Sequence, residues 1–130
     1  TEDGKLLIYD YKTGTPPSQP EQKVFDKQLL LEAAMAERDG FGEISPSEVL
    51  AAIYIGLGNT PKDVSAPLAD TPAAQVWAEF EQLIESYQGP EQGFTARRAL
   101  RKDTDIGDYD QLARFGEWEV TDAPEPEDLT

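Results

Sequence analysis

The chain has 130 residues, one domain in size, and 26 acidic against 11 basic residues give it a formal net charge of -15, which weighs against counterion-driven binding to nucleic acid or an anionic membrane. It has no cysteine and no histidine, which excludes disulfides, thiolate zinc sites and imidazole catalysis in this segment and leaves only oxygen-bound metals such as Mg²⁺, Mn²⁺ or Ca²⁺. No apolar run is long enough for a membrane span and no signal peptide is recognisable, so a cytoplasmic protein is the expectation.

The opening "TEDGK" has no initiator Met, and Asp3-Gly4 is a hairpin-type pair with a strand on only one side. The chain therefore reads as a piece of a longer protein. Lys5 to Tyr11 is the first strand, expected to be buried on both faces because Leu6, Leu7, Ile8, Tyr9 and Tyr11 follow almost without interruption. Gly14 and Pro16-Pro17 end it, and "TGTPPSQPEQ" is a loop.

From about Glu21 to Arg38 one helix is expected, with Val24, Phe25, Leu29, Ala33 and Ala36 at helical spacing and Asp39-Gly40 as its stop. In "ISPSEVLAAIYIGLG" two signals compete. Ser45-Pro46-Ser47-Glu48 resembles a capping box, whereas "AAIYIGL" has the β-branched texture of a buried strand. The combined expectation is a short helical turn, then a strand at about Leu50 to Leu57.

Asn59 to Ala69 reads as a loop. Thr71-Pro72 then opens a second helix whose stripe of Val76, Trp77, Phe80, Leu83, Ile84 and Tyr87, running up to Gly89-Pro90, is expected to be core. Residues 119–130 carry acids and no base, and read as an acidic, disordered tail after a domain over 1–118. Strand, helix, strand, helix implies parallel strands in an α/β sheet.

Residues i and i+2 of a strand share a face, so Asp10 and Lys12 project together and Tyr11 points the other way, into the core. A carboxylate beside an ammonium suits metal-assisted phosphodiester hydrolysis: the acid holds the ion, and the lysine polarises water and offsets developing charge. One carboxylate is too few, and a partner acid would face Asp10 from a strand before Thr1. A lone acid and lysine at a strand end is also a common accident of sequence.

The longer pattern says more. "LLIYDYKTG", a Pro-rich loop, "FDKQLLLEAAM", "AAIYIGLG", "AAQVWAEFEQLIESY" and "GDYDQLARFGEW", in that order, resemble the RecB-like branch of the PD-(D/E)XK nucleases to about Trp118, and within it the C-terminal nuclease domain of AddB subunits of alphaproteobacterial AddAB helicase-nucleases. The resemblance implies an α/β restriction-endonuclease-like core, a mixed sheet flanked by helices, here lacking the first strand of its catalytic hairpin. It makes Asp10 the metal carboxylate, Lys12 the catalytic lysine and Gln28 the active-site glutamine. It also implies Mg²⁺ or Mn²⁺ as cofactor, DNA as substrate and an AddA-like helicase-nuclease subunit as partner.

Many such nucleases place a Tyr four residues after that Gln; here the residue is Glu32, which either reaches a metal-bound water or is only a solvated helix-face acid. Where some relatives bind an iron-sulfur cluster through a C-x-Y-x-x-x-C arrangement, this chain has Gly107 and Ala113 around Tyr109, so the segment holds no cluster ligands. Tyr109 and Leu112 are expected to pack the closing segment on the core. Because the family's upstream Asp strand and earlier helix are absent, the segment alone is expected to be inactive.

The run Arg97, Arg98, Arg101 and Lys102, with Phe94 nearby, either grips a DNA backbone or pairs with the acidic excess. Two functions therefore stand: part of a metal-dependent DNA nuclease domain of a helicase-nuclease in double-strand break repair, or an inactive nuclease fold serving as a subunit-docking or DNA-channel scaffold.

Overall fold

The computed structural model describes residues 4–90, 92–94, 107–119, 121–123 and 125. They divide between two compact units, Thr1–Ile84 and Glu85–Thr130. In the first unit a mixed sheet has the order β1 (Leu6–Lys12), β2 (Val49–Gly56), β3 (Lys62–Ser65). The first pair is parallel, as the strand-helix-strand order requires, and the second antiparallel.

β3 falls in the segment read as a loop. Only Val64 of its four residues is buried, so it carries too little alternating pattern to be seen in sequence; pairing with Ile53 to Gly56 makes it a strand. The helical turn expected at Ser45 to Glu48 does not form. The Ser47 amide bonds Ala36 O and the Val49 amide bonds Glu37 Oε1, so the donors a turn would use are held by the end of the preceding helix and the chain enters β2 extended.

The long helix expected over 21–38 is two helices, α1 (Gln19–Val24) and α2 (Gln28–Arg38). Val24, Phe25 and Asp26 are the weak helix formers of the segment, and the break falls across them. Val24 and Phe25 are accordingly exposed, while Leu29, Leu30, Ala33, Ala34 and Ala36 are buried. α2 ends at Asp39, where Gly40 takes φ +72°. A Cβ on Gly40 would collide with the Ile44 carbonyl oxygen, so the stop read at Asp39-Gly40 depends on glycine.

α2 packs on β1 and β2. Leu29, Leu30, Ala33, Ala52, Tyr54, Val64 and Val76 belong to one core cluster, and each fully buried Leu contributes about 1.5–3 kcal/mol of transfer free energy. β1 is not buried on both faces. Leu6, Ile8, Asp10 and Lys12 are partly covered, but Leu7, Tyr9 and Tyr11 are exposed, Tyr11 at 63%. Tyr11 therefore points away from Asp10 and Lys12 as period two demands, yet into solvent and not into a core.

The second helix expected after Pro72 is α3 (Ala73–Gln88). Of its apolar stripe Val76 is buried and Trp77 partly so, whereas Phe80, Leu83 and Ile84 are exposed. In the second unit Tyr87 stacks on Phe94, and the Trp118 indole donates to Ala113 O. Tyr109 and Leu112 are 74% and 82% exposed and do not act as core residues. No helix among the described residues is long and apolar enough to cross a membrane.

Candidate active site

The end of β1 meets the start of α2. The parallel register sets Asp10 beside Tyr54 and Lys12 beside Gly56, and Leu57 N–H donates to Lys12 O to close the ladder. A side chain at position 56 would come within 2.9 Å of Lys62 O and of Pro16 Cδ and Cγ. Glycine there lets the Pro16 loop fold back against the strand end, which fixes the mouth of the site.

On α2 the buried pair Leu29 and Leu30 anchors the first turn, and Gln28 is the first helical residue because the helix breaks just before it. Had one helix run through, Gln28 would lie in its middle. The break places it at a helix start, within reach of β1.

Three sequence-predicted residues come together here. Lys12 Nζ lies 2.8 Å from Asp10 Oδ2 and donates to Gln28 Oε1 at 2.9 Å. Gln28 Nε2 donates to Glu32 Oε1 at 2.9 Å and reaches Asp10 Oδ1 only at 3.5 Å, the outer limit of a hydrogen bond. The Lys12 ammonium therefore sits against Asp10 Oδ2 as a close ion pair, on an oxygen that is itself buried. The side chains of Asp10 and Lys12 are 23% and 34% exposed.

Contact with the Asp10 carboxylate raises the Lys12 ammonium above its ordinary value of 10.5, against partial desolvation, with Tyr54 and Glu32 adding in the same direction. Lys12 is therefore a fixed cation at neutral pH and not a proton acceptor.

Tyr54 is the site residue that sequence reasoning missed. Its ring lies 5.1 Å below Lys12 Nζ and it is 1% exposed. Burial raises its phenol above 10.0, and the Leu29 backbone amide works the other way. Pairing "LLIYDYK" with "AAIYIGL" in parallel would have found it, because the register sets it beside Asp10.

Arg97, Arg98, Arg101 and Lys102 lie outside the described residues. Among the described residues no three acids, histidines or cysteines cluster as a metal cage. The Asp10 carboxylate, paired with Lys12 at the strand end, fits one hard-cation ligand, and Mg²⁺ commonly takes only one or two protein carboxylates, with waters and substrate oxygens filling the rest.

A mixed sheet flanked by helices, with an acid and a lysine two residues apart on a strand that a parallel neighbour supports, is the architecture of a restriction-endonuclease-like α/β core. The chain belongs to the PD-(D/E)XK nuclease superfamily, whose family model matches residues 1–118. Members of that superfamily are typically nucleases and generally use divalent metals. No curated protein and no solved structure matches the chain.

Proposed function

We propose that this chain is the C-terminal part of a Mg²⁺- or Mn²⁺-dependent DNA exonuclease domain, carried by an AddB-like subunit of a cytoplasmic helicase-nuclease that acts at double-strand breaks. The observation that supports it is the meeting of Asp10, Lys12 and Gln28 at one strand end, two elements and 16 residues apart in sequence between Lys12 and Gln28.

Asp10 would hold a divalent ion through its carboxylate, in exchange for part of its contact with Lys12, and a second carboxylate would be needed from a facing strand. An ion bound there supplies Lewis-acid polarisation of the phosphate and a more acidic water. Lys12, held protonated, places its charge where the phosphorane-like transition state gathers negative charge. Gln28 accepts one Lys12 proton and so limits where the ammonium can point. Water oxygen adds to phosphorus as its proton passes to solvent, and the bond to the departing sugar oxygen breaks as that oxygen takes a proton from solvent; the basic residues Arg97, Arg98, Arg101 and Lys102 would contribute to binding DNA phosphates.

A second reading, an inactive nuclease-fold scaffold docking an AddA-like subunit or lining a DNA channel, draws support from the single acid on β1 and the absence of a three-acid cluster among the described residues. Mg²⁺-dependent DNA degradation by the full-length protein separates the two, with the companion subunit's nuclease disabled. The catalytic reading expects Asp10→Ala to cost at least about a hundredfold in rate; degradation at the parent rate by that variant favours the scaffold.

A further inference from the structure

The Gln28 carboxamide has two chemically opposite ends, and both are engaged. Its oxygen accepts from Lys12 Nζ at 2.9 Å and its nitrogen donates to Glu32 Oε1 at 2.9 Å. Lysine has only donors and an ionised carboxylate only acceptors. Turning the amide over would set its NH₂ against an ammonium and its carbonyl against a carboxylate, so this pair of neighbours admits one orientation.

The two neighbours are not equivalent. Lys12 also faces Asp10, and an incoming phosphate would compete for its protons. Glu32 lies one turn along the same helix, so its hold on the amide is local to α2 and independent of what reaches β1. Asp10 Oδ1, at 3.5 Å from Nε2, is too far to substitute for it.

We propose that Glu32 is a positioning residue: it fixes the Gln28 amide with its oxygen toward Lys12, so that the ammonium is aimed when DNA is bound. The proposal rests on the nuclease reading above. Glu32 acts through Gln28 and touches neither substrate nor metal.

The test uses the full-length protein and two variants, with DNA cleavage and the Gln28 side-chain amide resonance as readouts. Glu32→Ala removes the acceptor, whereas Glu32→Gln keeps an acceptor oxygen at similar reach and removes the charge. Glu32→Ala is expected to lower kcat by about tenfold or more with KM for DNA within about threefold, and Glu32→Gln to recover most of that loss.

The amide resonance, assigned by its disappearance in Gln28→Ala, is expected to move in Glu32→Ala and to stay near its parent position in Glu32→Gln. Equal losses of kcat in the two variants overturn the proposal, since they mean that the charge of Glu32 acts directly. So does an active parent that Glu32→Ala leaves untouched. A parent that cuts no DNA refutes the nuclease reading and the catalytic part of the proposal with it, and an unmoved amide resonance refutes the Glu32 clamp itself.

Discussion

Lys12 Nζ and Gln28 Oε1 meet at 2.9 Å, joining the end of β1 to the first residue of α2. The contact is partly solvated, so it contributes little to folding; its consequence is to limit the directions an otherwise flexible ammonium can take. Gln28→Ala is therefore expected to slow DNA cleavage by about tenfold or more while changing stability by less than about 0.5 kcal/mol. Single-turnover cleavage and urea unfolding of the same preparation read the two effects separately.

Lys12 sets a pH expectation. Its folded value is raised by the Asp10 contact above 10.5, so its contribution to stability is fully present below 10.5 and is lost only as pH rises through the higher folded value. A third of the side chain is exposed, which keeps that contribution small. For activity, any alkaline limb due to Lys12 lies above 10.5. The pH-rate profile checks this: activity that falls along a limb below 10.5, and a limb that Lys12→Arg removes, would contradict a raised Lys12 value.

The helix break makes a stability contrast. Leu30 is fully buried and Val24 is 65% exposed, although both sit in what the sequence reads as one continuous helix. Leu30→Ala should cost about 2–5 kcal/mol, and Val24→Ala no more than about 0.5 kcal/mol. Chemical denaturation measures both.

Gly56 carries a packing constraint next to the site. A Cβ there meets Lys62 O and Pro16 at 2.9 Å, so Gly56→Ala must displace β3 or the loop beside Lys12. A loss of about 1–3 kcal/mol is expected, together with a fall in cleavage rate because Lys12 shares the register position. Thermal unfolding reads the first and a cleavage assay the second.

How much of this was legible in the residues follows from the physics of each element. Period two placed Asp10 and Lys12 on one face of β1, and the apolar spacing of Leu29, Ala33 and Ala36 located the buried side of α2. The parallel pairing followed from element order. β3 was illegible because four residues with one buried side chain carry no period.

The break before Gln28 was hidden because apolar spacing is blind to the weak propensities of Val24, Phe25 and Asp26. The exposed Leu7, Tyr9 and Tyr11 on β1, and Phe80, Leu83 and Ile84 on α3, read as core. Composition reports that a side chain is apolar, not whether anything covers it. Tyr54 escaped notice for a related reason. Its role under Lys12 arises from register between strands, which no single strand encodes.

The most direct measurement is single-turnover cleavage of saturating DNA by the full-length protein and its Asp10→Asn variant in Mg²⁺, with the companion subunit's nuclease disabled and DNA affinity determined alongside. Asp10 is the carboxylate that pairs with Lys12 at the strand end, and the amide keeps the side chain's shape while removing its charge. The account predicts a rate lower by at least about a hundredfold with unchanged DNA affinity; cleavage by Asp10→Asn at the parent rate would contradict it.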